Sequence, residues 1–211
     1  MFAGHAAVLQ THRGWDPGAL QLAQQMADAF GAPLFPSTTT RLLVDLNRSI
    51  GHPRLFSEFG ATLTRAERQA VLAAHYRPHR DAVEAEVAQR IAANRPVLHI
   101  ASHSFTQVLD GVVRAVDVAV LYDPKRAAEA ALATRWLGQL AQRAPALRLR
   151  RNHPYRGSGD GLTAALRKRH REPDYVGLEL EVNQRFVENG GPAWDRLRTD
   201  VIEALRTALA P

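Results

Sequence analysis

The sequence predicts an α/β protein: three layers, α/β/α, around a largely parallel, mixed central sheet. Two observations predict it. Short apolar, β-branched runs alternate along the chain with longer segments of helical period. The 211 residues are 45% hydrophobic and 23% charged, the balance of a globular chain with enough mass to bury a core. Residues 1–211 are expected to form one domain, with no internal repeat, linker or low-complexity segment.

The elements follow in order. "HAAVLQTH" (5–12) reads as the first strand. Asp16 then stands as an N-cap, with Pro17 at the first helical position. Leu20, Ala23, Met26, Ala27 and Phe30 share one face of the helix that follows, and Gly31 closes it. "RLLVDLN" (41–47) reads as a second strand, and "SIGHPRLFSEFG" (49–60) as loop. Thr64 and Glu67 have capping-box spacing. The helix they open should break or restart at Pro78, and a long amphipathic helix runs on to about Ala93. "PVLHIAS" (96–102) and "VDVAVLYD" (116–123) are strands three and four. Residues 125–143 are helix, "LRLRRN" (147–152) is strand, and "GSGDG" (157–161) leads into a short helix. "YVGLELEV" (175–182) is the last strand and 192–209 a terminal helix.

Composition removes several classes of function. Cysteine is absent, which excludes disulfides, thiolate metal ligands and cysteine nucleophiles. No apolar run can span a bilayer, and the first residues lack a basic n-region and a long h-region, so no membrane partner and a cytoplasmic location are expected. The net charge is +6, mostly from scattered arginine. The densest run, "RLRR" (148–151), is not interleaved with aromatics. An anionic small substrate suits this better than nucleic acid.

In largely parallel sheets the chemistry collects at the carboxyl ends of the strands. Those positions hold His12 and Asp16, Asn47 and Arg48, His103, and Asn152 with His153, Tyr155 and Arg156, while the last strand carries Glu179 and Glu181. On a strand, His99 and His103 lie about 13 Å apart, so they cannot share a metal, and His103 is the better candidate. A zinc site needs about three N or O ligands and an open position. His12, Asp16 and His103 supply such a set. Glu181 can then serve as general base, and Glu179 shares its face. Asn47 and Arg48 can hold a carboxylate; Arg114 or Arg156 can polarise the scissile carbonyl or bind a second one. Each residue also has a plain structural reading: Asp16 as a cap, "DLNR" as a loop, one of the two glutamates in a salt bridge.

Six segments resemble the N-formylglutamate amidohydrolase family: "THRGWD" (11–16), "TTTRLLVDLNRS" (38–49), "HYRPHRDAV" (75–83), "HIASHSFTQVLDGV" (99–112), "RRNHPYRG" (150–157) and "GLELEVNQRF" (177–186). "VDLNR" with "HSFT" is the specific part. The resemblance implies a zinc carboxypeptidase-like (phosphorylase/hydrolase-like) fold. It also implies one zinc ion per chain and hydrolysis of a small carboxylated N-acyl amino acid such as N-formylglutamate. It makes His12, Asp16 and His103 the ligands, Glu181 the base, and Asn47 and Arg48 the substrate-carboxylate pair. Arg41 matches an arginine at the start of the same strand. The chain departs from the family in having Thr11 before the first ligand and a glycine-rich segment after the fifth strand reduced to "YRGSGDG" (155–161). A metallocarboxypeptidase acting on short peptides and a non-catalytic binder of carboxylated metabolites are the alternatives.

Overall fold

A computed structural model describes residues 2–210. In chain order the elements are α1 (Ala6–Leu9), α2 (Ala19–Phe30), α3 (Arg65–Val71), α4 (Arg77–Ala92), β1 (Val97–Phe105), β2 (Val108–Leu109) and β3 (Val112–Val113). They continue with β4 (Val118–Leu121), α5 (Ala127–Arg143), β5 (Leu149–Arg151), α6 (Leu162–Arg169), β6 (Tyr175–Asn183), α7 (Arg185–Asn189) and α8 (Gly191–Leu209). The fold is mixed α/β. No helix among the described residues is long and apolar enough to cross a membrane.

Two expected strands are absent. Residues 5–12 form the single turn α1 and further turns. The amides of Val8, Gln10 and Thr11 bond to carbonyls three residues back, so they are consumed locally and cannot join a ladder. Residues 41–47 also turn. Asp45 Oδ1 accepts the Asn47 amide at 2.9 Å, an Asx turn, and the Asp45 carbonyl accepts the Arg48 amide. Leu42 and Val44 are still buried in alternation, the pattern that suggested a strand. Here the burial comes from a local apolar cluster, without a strand partner.

Other differences are smaller. Asp16 is not a helix cap; α2 starts after Gly18, whose φ of 77° suits glycine. The capping box of Thr64 and Glu67 is present, and Pro78 sits in the first turn of α4, after a wider turn over 72–76. The β2–β3 hairpin was not foreseen, although its Asp110-Gly111 turn is a strong hairpin signal. Both residues take positive φ, as a type I′ turn requires.

The chain divides into two compact units. The first comprises residues 2–16, 35–97 and 160–175. One apolar cluster in it joins Val83 and Val87 of α4 to Leu162 and Leu166 of α6 and to Tyr175. Another joins Val44 and Leu55 to Leu72 and Tyr76.

The second unit comprises residues 17–34, 98–159 and 176–210 and carries the sheet, in strand order β1-β6-β4-β5. β4 runs parallel to β5 and antiparallel to β6. The direction of β1 follows from the bonds at its ends. Val97 N–H donates to the Asp174 carbonyl, and Gln184 N–H donates to the Phe105 carbonyl. Both bonds fit a parallel ladder with the same offset, which sets Val97 opposite Tyr175 and Phe105 opposite Asn183. Two of the three pairings are thus parallel. One sheet face, with Val118, Val120, Leu178, Leu180 and Val182, packs on α5 and α8, where Trp136 is fully buried and donates to the Val201 carbonyl at 2.9 Å.

Candidate functional site

The other face of the sheet carries the titratable candidates. Side chains alternate along a strand, so His99, His103 and Phe105 of β1 share one face. Glu179 and Glu181 of β6 lie on the same face, away from Leu178, Leu180 and Val182, which belong to the core. With Phe105 opposite Asn183, His103 falls opposite Glu181. On β4, Ala119 is the partner of Glu181 and Leu121 that of Glu179. An imidazole and a carboxylate that are 78 positions apart in sequence thus lie side by side on neighbouring strands. Both glutamates are buried, and His103 is half-buried. His99 lies opposite Gly177 by the same register, two repeats along the strand from Glu181.

Arg114 adds a cation beside this face. Its guanidinium carbon lies 5.7 Å from the centre of the Phe105 ring and 5.4 Å from that of Tyr155. Nη1 donates to the Tyr155 hydroxyl at 3.0 Å. Its backbone is fixed as well: the Arg114 amide bonds the Gln107 carbonyl at 2.8 Å, closing the β2–β3 hairpin. Asn183 Nδ2 donates to the Arg114 carbonyl at 3.3 Å and to the Val116 carbonyl at 2.8 Å. Asn183 and Phe105 are members of the site that the sequence reading missed. An asparagine closing an apolar strand, as in "LELEVN", was the available signal.

The expected single rim of strand ends does not exist. β1 and β6 run one way and β4 and β5 the other, so the carboxyl ends of the two pairs lie at opposite ends of the sheet. His103 is not at a strand end either, since β1 continues to Phe105. The residues meet on a face.

Asn152 has a structural job. It adopts a positive φ of 50°, and its Oδ1 accepts the amides of Tyr122 and Gly157, each at 3.0 Å. That staples the 152–157 loop to the end of β4. A Cβ on Gly157 would sit 2.1 Å from the Tyr122 nitrogen, so only glycine fits there. Tyr155 and Arg156 on this loop are exposed.

The remaining candidates lie in the first unit. His12 is exposed in the turn after α1. The Gly14 carbonyl accepts the Arg41 amide at 3.1 Å and Thr40 Oγ1 at 2.8 Å, which ties this turn to the 40–41 segment. Asp16 Oδ1 lies 3.3 Å from Arg41 Nη1. Asn47 Oδ1 accepts the Leu162 amide at 2.8 Å and so caps α6. Arg48 Nη1 donates to the Asp160 carbonyl at 2.7 Å, and Tyr76 donates to the Arg48 carbonyl at 2.7 Å. Burial would raise the Asp160 pKa, but hydrogen bonds from Ser49, with Arg48 and His52 nearby, hold it below the usual carboxylate range. Burial pushes the Tyr76 hydroxyl up, so it stays a donor.

Two imidazoles and a carboxylate suit zinc. His12 and Asp16 belong to the first unit, however, and His103 to the second. Among the described residues, no three histidine, aspartate or glutamate side chains come together as a group that would hold a metal.

One sheet face thus carries a buried glutamate beside a histidine, and an arginine framed by Phe105 and Tyr155 stands by it. The sequence profile of the N-formylglutamate amidohydrolase family matches residues 2–187. A gene product of Agrobacterium tumefaciens, Atu2144, whose crystal structure is known, is 32% identical with a TM-score of 0.81, over 97% of this chain and 81% of that one. An N-formylglutamate amidohydrolase from Ralstonia eutropha JMP134 is 19% identical with a TM-score of 0.49, over 84% of this chain and 65% of that one. No curated protein matches the chain. The chain belongs to the N-formylglutamate amidohydrolase family, a family of amide hydrolases.

Proposed function

We propose that the protein hydrolyses the amide bond of a small N-acyl amino acid resembling N-formylglutamate. The observation that carries this is the register of β1 and β6, which sets His103 beside the buried Glu181 on one sheet face, in a chain of an amidohydrolase family. Glu181 takes a proton from the attacking water as its oxygen bonds to the carbonyl carbon. It returns that proton to the nitrogen as the C–N bond breaks. Arg114, held beside this face, offsets the negative charge that develops on the carbonyl oxygen. Arg156, on the loop stapled to β4, is the proposed partner of a substrate carboxylate.

Zinc dependence is the finer part of what we propose. It rests on the donor types and on the family resemblance. A bound zinc would supply a water of pKa about 7.

The test is turnover of N-formyl, N-acetyl and N-carbamoyl amino acids by tag-free protein, with and without added zinc. Glu181→Gln should lower kcat by about 10²–10⁴-fold. Unchanged turnover in that variant removes Glu181 as the base, and no turnover of any amide substrate overturns the hydrolase reading. Near-stoichiometric zinc in the wild type, lost in His103→Ala, supports the metal; its absence under every loading condition removes it.

A further inference from the structure

The geometry points to Tyr155 as a positioning residue for Arg114: its hydroxyl and ring, with the Phe105 ring, hold the guanidinium beside the face that carries His103 and Glu181. This rests on the reading of Arg114 as the group that offsets developing charge.

The backbone around Arg114 is well fixed by Gln107 and Asn183. That leaves the guanidinium undetermined, because it stands at the end of a long, rotamer-rich side chain that pays entropy to stay in one place. Two features confine it. The Tyr155 hydroxyl accepts from Nη1 at 3.0 Å, which fixes the guanidinium along its plane. The Phe105 and Tyr155 rings, 5.7 and 5.4 Å away, confine it laterally. Phe105 is a rigid support, since it is 2% exposed and packs with Val116, Ala119 and Leu121.

Tyr155 by contrast is 45% exposed. Burial does not explain a tyrosine there, whereas its hydroxyl accepts from Arg114 Nη1. Its own position is set by the loop. Asn152 Oδ1 clamps both ends of the turn to the end of β4, and Gly157 allows the backbone to approach Tyr122 closely. The line of dependence runs from Asn152 and Gly157 to Tyr155, and from Tyr155 to the guanidinium. Asn152 thus serves as a staple and Tyr155 as a positioning group. The design fits electrostatic catalysis, where a charge helps most if it is aimed before the reaction begins. Lysine at position 114 could not reproduce it, having no plane to be held along or stacked.

A double-mutant cycle tests the inference in the full-length protein, using whichever N-acyl amino acid it turns over. Tyr155→Phe keeps the ring and removes the hydroxyl. It should lower kcat by about threefold to tenfold, the size of one hydrogen bond to a half-exposed charged group, with KM nearly unchanged. Arg114→Ala should cost more, and Tyr155→Phe in the Arg114→Ala background should cost nothing further. A role in folding alone would persist in that background, and this outcome overturns the proposal. A second readout does not depend on turnover. In ¹⁵N-labelled protein the Arg114 Nε–H resonance should be sharp and protected from exchange in the wild type, and broadened or lost in Tyr155→Phe. An unchanged resonance overturns the proposal even if the chain proves not to be an amidohydrolase. Absent turnover with the expected change in the resonance overturns only the hydrolase reading.

Discussion

Asp117→Asn is the most informative single change in the sheet unit. Asp117 has a side chain 1% exposed, and it gathers two arginines. It accepts the Arg148 amide at 2.9 Å, Arg148 Nε at 3.2 Å and Nη2 at 3.0 Å, and Arg185 Nε and Nη2 at 3.0 and 2.8 Å. Its backbone carbonyl also accepts the Asn183 amide at 2.9 Å, which joins the start of β4 to the end of β6. Asparagine keeps the shape, removes the charge and turns an NH2 toward guanidinium donors. Removing one partner of a buried ion pair costs about 3–5 kcal/mol. Here the arginine side chains are 52% and 31% exposed, so water compensates part of the loss. About 2–3 kcal/mol is the expected net cost. For a chain of this length that is a drop of about 4–12 °C in Tm, read by thermal unfolding with near-UV circular dichroism.

The same change carries a pH signature. Burial alone would raise the Asp117 pKa, but the hydrogen bonds from Arg148 and Arg185 outweigh it and hold the carboxyl below its ordinary range. A carboxylate whose folded pKa is depressed contributes stability that is fully present above its unfolded pKa. That contribution is lost as pH falls through the folded value. The gap between wild type and variant should therefore be constant from about pH 5 to 7 and shrink below about pH 4. A loss under about 0.5 kcal/mol at pH 7 would place Asp117 in the class of surface pairs and refute the reasoning. So would a gap that stays constant to the lowest pH at which the wild type folds.

Two further substitutions test how loops are fixed in each unit. Gly157→Ala puts a Cβ 2.1 Å from the Tyr122 backbone nitrogen, a clash no side-chain rotation relieves. It should cost at least about 1–3 kcal/mol in urea unfolding and shift the Tyr155 resonances, whereas a neutral result would mean the loop can leave β4 freely. Asn47→Ala removes the cap on the Leu162 amide and should cost about 1 kcal/mol, while Asn47→Asp, which keeps an acceptor, should stay within a few tenths. Equal losses in the two variants would show that the cap is not what Asn47 contributes to stability.

How much was legible in the sequence depended on where each signal was local. The helices could be read because their caps and periods are local: Thr64 with Glu67, Gly31 after Phe30, and the apolar faces of α5 and α8. Residues 41–47 misled because Leu42 and Val44 alternate in burial as a strand would, while Asp45 turns the backbone and ends any ladder. Residues 5–12 misled for a related reason: apolar side chains alone do not decide between one helical turn and a strand, and the local amide bonds do. The Asp110-Gly111 turn was legible and went unread.

The site residues divide along the same line. That His103 and Glu181 belong to the strands "VLHIASHSF" and "YVGLELEVN" follows from composition, but their adjacency is a matter of register, which no local pattern in either strand encodes. Moving β6 by one residue would turn both glutamates into the α5–α8 core and bring Leu180 opposite His103. What prevents this is apolar: Leu178, Leu180 and Val182 fill that core, and each is at most 1% exposed. The carboxylates are held on the histidine face by the burial of their neighbours. Asn183 then pins the end of the strand to Val116 and to the Arg114 carbonyl, so the same register that pairs His103 with Glu181 also sets where the arginine begins. A polar substitution at Leu180 should therefore damage the site by freeing the register, although Leu180 points away from it.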